Sequence, residues 1–358
     1  MLGREKSEES SATLREILSQ PEIWRQCLSE LLGSEVIEKI LQGAKSRNEW
    51  IFIGCGTSFY LAEAAAASWM LLTGKAARAL PASEPLLFPG LALCAEENYQ
   101  AVVISRSGRT SEAVRAAQLL SQEYRVPTLG ITCALDSPLE KACDRTIRLQ
   151  AADERSLVMT RSFSSMLLAL QCLARSKSGE TEVTSVLERM ADHFEGRIGP
   201  LAAQVEEFVA AHNFADYIFL GQGPFYAVAR EASLKVTEMS CSYSQAFHTL
   251  EFRHGPKAIV SPETCLTFFL SESGAQAECE VLAEMQELGG VTIAVCNHAN
   301  EGIRRSSDLV FELSFDGPEL ATLAPFVALA QLLGYFTGVK KNLNPDEPKN
   351  LSRVVILD

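Results

Sequence analysis

The sequence predicts two doubly wound α/β domains in tandem, with a helical segment before them and a tail after them. Two observations support this prediction: the chain repeats itself, and each repeat alternates short apolar runs with helical patterns. Such alternation is typical of parallel strands joined by right-handed crossovers. We therefore assign residues 1–40 to the helical segment, 41–180 and 200–340 to the two domains, and 341–358 to the tail.

Three pairs of similar segments lie in the same order in the two halves of the chain. They are IFIGCG and IFLGQG, which start at Ile51 and Ile218; ISRSGRTSE and LSESGAQAE, which start at Ile104 and Leu270; and the segments that start at Leu129 and Ile293. The third pair aligns Asp144 with Asp308. The distance along the chain between the two members is nearly the same for all three pairs, which indicates a duplicated unit.

Turn residues divide the segments outside the repeats. We expect a loop at residues 175–182, followed by helices up to Asn213 with a break at Gly199-Pro200. From Lys340 the tail is rich in turn residues and ends in an apolar, strand-like run.

The composition argues against several classes of partner. The chain has 358 residues, of which 47% are hydrophobic, and a formal net charge of −13. This charge argues against nucleic acid and anionic membranes, because both require a basic surface. No stretch reaches the roughly 18 apolar residues of a membrane span, and the polar N-terminus lacks the apolar core of a signal peptide. We therefore expect a cytoplasmic protein.

The cysteines and histidines indicate neither disulfides nor a metal site. The ten cysteines include no C-x-x-C pair and most lie in apolar runs, so we expect reduced, buried thiols. The five histidines show no metal-ligand spacing. We expect no metal and no cofactor.

A hydroxyl-rich loop follows the second apolar run of the first repeat, where a helical pattern begins. It contains Ser105, Arg106, Ser107, Gly108 and Thr110. A helix N-terminus at the carboxyl end of a parallel strand offers free N–H groups and partial positive charge to an anion. We interpret residues 105–110, called the first cradle below, as a phosphate-binding loop. The alternative is a set of hydroxyls that only cap the helix.

The glycine turn of the first repeat contributes a second polar wall to the same predicted pocket. This wall consists of Cys55, Gly56, Thr57 and Ser58. The turn also resembles the start of a dinucleotide-binding fingerprint, but Phe59 stands where the third glycine would be. A lone G-x-G is weak evidence, so we expect no nicotinamide cofactor.

The second repeat keeps the S-x-S-G pattern but changes the residues around it. Glu272 replaces Arg106, and Gln276 replaces Thr110. A carboxylate at this place repels a phosphate. We therefore expect the first domain to bind the anion and the second loop, residues 271–276 (the second cradle), to be structural.

The second domain carries ionisable residues that the first lacks. Glu231, Lys235 and Glu238 are spaced i, i+4 and i+7, which places them on one face of a helix. His254 opens an HGP turn beside an apolar run. The alternatives are an exposed Glu231–Lys235 ion pair on a surface helix and a packed, hydrogen-bonded histidine.

Together these groups suit chemistry on a phosphosugar. A shielded carboxylate takes a proton from a carbon next to a carbonyl and returns it to the neighbouring carbon. An imidazole shuttles the proton that opens a sugar ring, and phosphate binding holds the open chain in place. The combination predicts an aldose/ketose isomerase for a phosphosugar.

At these residues the sequence resembles the tandem SIS (sugar isomerase) family. That family includes the isomerase half of glutamine–fructose-6-phosphate aminotransferase and the phosphosugar isomerases and deaminases of amino-sugar catabolism. The motifs CGTS, S-x-S-G-x-T, E-x-x-L-K-x-x-E, HGP and P-x-N-L occur in this order over nearly the whole chain. The resemblance implies two flavodoxin-like domains.

The resemblance also implies roles for individual residues. It implies phosphate contacts from Ser58, Ser105, Arg106, Ser107 and Thr110. It further implies Glu238 as the base of a 1,2-proton transfer, His254 as the ring-opening residue and Lys235 beside the sugar. In the aminotransferase the matching histidine comes from the other subunit, so a homodimer with shared sites is the expectation.

Two departures from the aminotransferase favour isomerisation or aminosugar-phosphate deamination over amino-sugar synthesis. The aminotransferase begins with a glutaminase domain whose nucleophile is an N-terminal cysteine, whereas this sequence begins Met1-Leu2-Gly3, so we expect no glutaminase. The aminotransferase tail has a lysine thought to form a Schiff base, and its place is taken here by Arg353. A guanidinium stays protonated and does not attack a carbonyl, although Arg353 can still stabilise an enediolate or bind substrate oxygens. We expect the tail, residues 341–358, to lie over the active site.

Two further hypotheses stay open at this point. The chain could be a non-catalytic phosphosugar sensor, or the isomerase subunit of a glucosamine-6-phosphate synthase served by a separate glutaminase. Glu238 and His254 favour an enzyme over the sensor, and Arg353 argues against the synthase subunit.

Overall fold

The computed structural model describes residues 11–32, 35–43, 47–94, 98–179 and 183–357. Two parallel sheets of five strands each form its frame. The strands of the first sheet are β1 (Glu49–Gly54), β2 (Ala76–Pro81), β3 (Tyr99–Ile104), β4 (Thr128–Thr132) and β5 (Arg145–Arg148). Those of the second sheet are β6 (Asp216–Gly221), β7 (Tyr243–His248), β8 (Thr264–Phe269), β9 (Val291–Cys296) and β10 (Leu309–Glu312).

Helices cover both faces of each sheet. They are α1 (Ala12–Leu18), α2 (Gln20–Leu32), α3 (Val36–Gly43), α4 (Thr57–Thr73), α5 (Ser83–Leu87), α6 (Pro89–Ala92), α7 (Ser111–Gln118), α8 (Pro138–Ala142), α9 (Arg161–Ser178), α10 (Val183–Ala211), α11 (Pro224–Ser240), α12 (Ala275–Glu287), α13 (Glu301–Arg305) and α14 (Leu323–Lys340). The first sheet has the order β2-β1-β3-β4-β5, and the second repeats it as β7-β6-β8-β9-β10. This is the flavodoxin-like, doubly wound order, so the predicted fold class is confirmed.

The two copies agree in the turns that join the first strand of each sheet to its helix. A Cβ placed on Gly54 or Gly221 would lie 2.3 Å from the backbone of Ser58 or Phe225, respectively. Helix and strand therefore approach each other so closely that only glycine fits at these two positions. The repeated glycines of the sequence are explained by this packing.

The aligned aspartates also play the same part in both copies. Asp144 Oδ2 accepts a hydrogen bond of 2.8 Å from the backbone N–H of Thr128, at the start of β4. Asp308 Oδ2 accepts a bond of the same length from Thr292 in β9. Each aspartate thus ties a strand to the start of the next one, which accounts for its place in the repeat.

The two domains meet through their first helices. α4 packs against α11, and each of these helices packs against the long helix at the end of its own domain, α9 or α14. The segment Glu319–Lys340 is long and apolar enough to cross a membrane, but its apolar stretch is wholly buried inside the protein. Burial on all sides is the property of a core helix.

Two predictions for the segment between the repeats were wrong. α9 continues to Ser178, into the range of the expected loop, and α10 runs through Gly199-Pro200 without a break. Proline in a helix costs one backbone hydrogen bond and a steric clash. α10 keeps its course because it is packed against α2 and α14. Residues 180–182 lie outside the described residues.

The end of the tail is also not a strand. It runs beside the N-terminus of α7, where the N–H of Ser111 donates to the carbonyl of Val355 at 3.2 Å and the N–H of Leu357 donates to the Ser111 hydroxyl at 2.9 Å. These bonds attach the tail to a helix start and the loop before it, so no sheet forms. The tail consequently lies next to the first cradle.

Asp346 joins the tail to the N-terminal helix α1. We expect Asp346→Ala to lower the free energy of unfolding by about 2 kcal/mol, because the start of the helix loses a charged hydrogen-bond acceptor. The Asp346 carboxylate accepts from the Ser11 hydroxyl and from the N–H groups of Ala12 and Thr13 at 2.6–3.0 Å. Burial raises the pKa of Asp346, but these bonds outweigh it and lower the pKa below 3.8. The stabilisation is therefore present above pH 3.8 and lost as the pH falls through the folded-state pKa.

Urea unfolding at pH 7 measures this effect. Glu347→Ala is the matched control, because its side chain is exposed and adjacent. Equal stability of the two variants would contradict the assigned role of Asp346.

Candidate active site

The first cradle lies between β3 and α7. Ser105 is buried, while Ser107 and Thr110 are partly exposed. Gly108 has a positive φ of 59°, and a Cβ there would lie 2.3 Å from the Ser137 hydroxyl. The loop therefore needs glycine at this position to keep its shape.

The donors of the first cradle remain available for an anion. Thr110 stands at the N-cap position of α7, yet its side chain makes no capping bond. The N–H groups of Ser107 and Thr110 donate to no group among the described residues. Ser105 Oγ lies 3.3 Å from Thr110 Oγ1. The capping alternative thus does not account for Thr110, and the arrangement suits an anion at a helix N-terminus.

The Arg106 guanidinium binds other groups of the protein. It is 5% exposed and pairs with Glu154 at 3.2 Å. It also donates to the backbone carbonyls of Leu157 at 2.9 Å and Arg353 at 3.5 Å. Because the guanidinium is engaged by these acceptors, it braces the first cradle against a neighbouring loop and the tail. The structure does not present it as a phosphate ligand.

Two acidic residues that the sequence analysis missed hold the loop beneath Arg106. Glu154 accepts from the N–H and hydroxyl of Thr160, both at 2.6 Å, at the start of α9. Glu16 of α1 accepts from the N–H groups of Arg155 and Ser156 at 2.6 and 3.2 Å. Both carboxylates are buried. Hydrogen bonds to these ionised acceptors hold the loop in place.

The second polar wall lies at the turn between β1 and α4. Thr57 and Ser58 are buried in the first turn of α4, and Gly56 has the positive φ of the preceding turn. Cys55 is half-buried, and burial together with the charge of Glu112 raises the pKa of its thiol to about 11. Cys55 is therefore a neutral thiol at physiological pH and not an activated nucleophile.

A buried ion cluster on α11 reaches this wall. Lys235 is fully buried, and its Nζ lies 2.5 Å from Glu238 Oε2, 3.3 Å from Glu231 Oε1 and 3.0 Å from Thr57 Oγ1. Glu231 is also fully buried, so the alternative of an exposed surface ion pair is wrong. These four side chains, called the Lys235 cluster below, span the seam between α4 and α11.

The members of the Lys235 cluster differ in protonation and access. Burial raises the pKa of Glu231 to about 8, although Lys235 opposes the shift. Burial lowers the pKa of Lys235, but the two carboxylates outweigh it and the pKa is raised. The Glu238 side chain retains 17% exposure. Glu238 is thus the carboxylate of the cluster with access to a ligand.

Replacing Glu231 with glutamine is expected to remove a pH-dependent loss of stability. The folded state holds the Glu231 proton up to about pH 8, whereas an unfolded glutamate releases it near pH 4.5. The contribution of Glu231 to the free energy of unfolding is therefore fully present below pH 4.5. It falls by up to about 1.4 kcal/mol per pH unit as the pH rises towards 8. Glu231→Gln should gain stability over wild type across this window in denaturant titrations, whereas the exposed Glu280→Gln should not. A pH-independent difference for Glu231→Gln would contradict the raised pKa.

His254 is exposed in the turn that follows the short helix at Glu251–Arg253. Nothing in the described part of the chain forms a hydrogen bond with its imidazole, so the alternative of a packed, hydrogen-bonded histidine is wrong. Arg353 pairs with Asp153 at 2.7 Å, and its carbonyl accepts from Arg106. The structure thus brings Arg353 to the loop beside the first cradle. Participation of His254 in the site of a partner subunit stays a prediction.

Among the residues that the structure describes, no three His, Cys, Asp or Glu side chains gather in a group that could hold a metal ion.

Comparisons with known proteins identify the family. The SIS domain family matches residues 44–176 and 216–333, which correspond to the two sheets and their helices. The chain belongs to the SIS domain family. The resemblance inferred from the motifs is therefore confirmed.

Individual SIS proteins are similar to this chain over most of its length. The glutamine–fructose-6-phosphate aminotransferase of Methanothermobacter thermautotrophicus is 26% identical over 351 residues, covering 96% of this chain but only 57% of that protein. A Streptomyces coelicolor protein, provisionally named D-galactosamine-6-phosphate deaminase, is 27% identical over 94% of this chain and 91% of its own length. The chain thus spans a little over half of the aminotransferase and nearly all of the second relative.

Solved structures show the same fold. Glucosamine-6-phosphate deaminase from Thermotoga maritima is 28% identical, with a TM-score of 0.78, over 97% of this chain and 100% of that one. Tagatose-6-phosphate ketose/aldose isomerase from Escherichia coli has a TM-score of 0.87 over 99% and 98% of the two chains, at 22% identity.

Proposed function

We propose that this SIS protein is an aldose/ketose isomerase or aminosugar-phosphate deaminase that acts on a hexose or hexosamine 6-phosphate. One observation carries the proposal: Lys235 contacts Thr57, which joins the acid–base cluster of the second domain to the polar wall of the first. Phosphate binding and proton transfer then take place in one crevice, at the carboxyl ends of the strands.

Each group has a defined part in this proposal. The phosphate accepts from the free N–H groups of Ser107 and Thr110 and from the hydroxyls of Ser58, Ser105, Ser107 and Thr110. Glu238 removes the C2 proton of the open-chain sugar and returns it to C1. Lys235 stabilises the oxyanion that develops in the enediolate, and Arg106 positions the first cradle. His254 of a second subunit opens the ring, so the active form is a homodimer with shared sites. The homodimer acts in the cytoplasm.

Deamination uses the same proton transfer as isomerisation. With a 2-amino sugar, moving the C2 proton to C1 and an N–H proton to the C1 oxygen turns the amine-bearing carbon into an imine and the aldehyde into an alcohol. Water then adds to the imine and ammonia leaves, which gives the ketose phosphate. Two proteins named as aminosugar-phosphate deaminases match this chain over nearly its full length and over nearly all of their own. Together with Arg353 in place of a Schiff-base lysine, this favours deamination over amino-sugar synthesis.

A panel of hexose and hexosamine 6-phosphates tests the proposal, with ketose formation and ammonia release followed separately. Ketose without ammonia from a hexose phosphate identifies an isomerase, and ammonia from a hexosamine phosphate identifies a deaminase. Tight binding without turnover of any member identifies the sensor instead. Ammonia transfer into a ketose phosphate from an added glutaminase identifies the synthase subunit.

Ser107→Ala is expected to weaken phosphosugar binding about ten- to a hundredfold, because it removes one hydrogen bond to a charged group. The change should appear in KM with little effect on kcat. Ser273→Ala is the matched control, since Ser273 is the corresponding serine of the second cradle. A loss confined to kcat in Ser107→Ala, or an equal loss in Ser273→Ala, would contradict phosphate binding by the first cradle.

A further inference from the structure

The second cradle is filled by a side chain of the protein itself. The carboxylate of Glu319 accepts from the N–H of Glu272, from the N–H of Ser273 at 3.3 Å and from the Ser273 hydroxyl at 2.8 Å. These are the kinds of donors that bind phosphate at a loop before a helix. Ser273 corresponds to Ser107, whose N–H has no partner in the described part of the chain. The same loop is therefore open in one copy and occupied in the other.

A carboxylate stands at the corresponding position in both copies but is used differently. The separation of Glu154 and Glu319 along the chain matches the spacing of the repeat. In the first copy Glu154 is held by Arg106 and by the start of α9. In the second copy Glu272 replaces Arg106 and offers no positive charge. The carboxylate of Glu319 lies against the loop N–H groups instead.

A second carboxylate completes the closure. Glu278 is buried and accepts from the N–H and hydroxyl of Ser271 at 2.7 and 2.9 Å. A cavity of about 430 Å³ beside the loop is lined by Glu272, Asp316 and His298. None of these carboxylates pairs with a lysine or arginine among the described residues. Carboxylates thus gather at the second cradle without a lysine or arginine partner, which opposes an anionic ligand there.

We propose that the Glu319 carboxylate is a built-in anion that occupies the second cradle and excludes phosphate esters from it. Each subunit then binds one phosphosugar, in the orientation that places its reacting carbons at Glu238. The second cradle is a latent phosphate site, closed by Glu319 and by the charge of Glu272. The inference rests on the proposed function only for the claim that the first cradle binds phosphate.

Equilibrium binding of radiolabelled inorganic phosphate to the full-length chain tests the inference without reference to turnover. Wild type should bind one phosphate per subunit, and Ser107→Ala should weaken that site at least tenfold. The double variant Glu272→Arg/Glu319→Ala should bind two. The added site should persist when Ser107→Ala is introduced and be lost when Ser273→Ala is introduced. Melting temperatures establish that each variant is folded, and Glu272→Arg/Glu319→Gln replaces the alanine variant if the latter does not fold.

The two proposals fail in different ways. A folded double variant that binds only one phosphate overturns the latent site, as does an added site that Ser273→Ala leaves unchanged. Wild type that binds two phosphates overturns it as well. Wild-type phosphate binding that Ser107→Ala leaves unchanged overturns the phosphate role of the first cradle and leaves the test of the second cradle intact.

Discussion

Replacement of Glu238 by glutamine is expected to lower turnover of the phosphosugar by at least about a hundredfold, which is the contribution of a positioned general base. Glutamine keeps the size of the side chain but accepts no proton from carbon. The first cradle is unchanged, so substrate binding should stay within a few-fold of wild type. Steady-state kinetics and direct binding of a hexose 6-phosphate measure the two effects separately.

The exposed Glu280→Gln variant controls for the loss of one surface charge. A Glu238→Gln variant with unchanged turnover would show that Glu238 is not the base. A variant that loses binding and turnover together would show that Glu238 supports the site without moving the proton.

Replacement of Lys235 by methionine is expected to destabilise the protein by about 3–5 kcal/mol, the cost of leaving buried charge without its partner. The Lys235 side chain is fully buried between the carboxyl groups of Glu231 and Glu238. Without the ammonium, the Glu238 carboxylate loses its buried counter-charge, and the protonated Glu231 carboxyl loses a hydrogen-bond partner. The bond to Thr57 across the domain seam is lost as well. Urea unfolding at pH 7 measures the loss.

A surface ion pair of the same spacing provides the control. Lys39 pairs with Glu35 at i, i+4, with both side chains more than half exposed, and Lys39→Met should cost at most about 0.5 kcal/mol. The double variant Lys235→Met/Glu238→Gln should recover part of the loss, because the carboxylate left without its partner becomes a neutral amide. A loss in Lys235→Met no larger than that in Lys39→Met would contradict the buried cluster.

The fold was predictable because its determinants recur in the sequence. Gly54 and Gly221 are required at two equivalent turns, and Asp144 and Asp308 tie equivalent strands. Each of these local requirements appears twice, so the repeat reveals them. The break expected at Pro200 did not occur, because tertiary packing of α10 outweighs the local preference of proline.

The site was predictable in composition but not in detail. The spacing of Glu231 and Lys235 is the same on an exposed helix and a buried one, so it could not reveal that α4 covers the pair. The direction of the Arg106 side chain depends on Glu154, which is distant in sequence. Glu319 was detectable in principle, since it lies one repeat after Glu154. The role of Glu319 depends on which N–H and hydroxyl donors its carboxylate contacts in the folded chain.

The central claim is that the first domain binds the phosphate and the second domain carries the base. A crystal structure of the full-length protein with a hexose 6-phosphate tests it most directly. We expect a phosphate on the N–H groups of Ser107 and Thr110, a C2 carbon within about 3.5 Å of the Glu238 carboxylate, and Glu319 still bound in the second cradle. A phosphate bound elsewhere, or a Glu238 carboxylate outside the crevice that holds the sugar in every subunit, would contradict it.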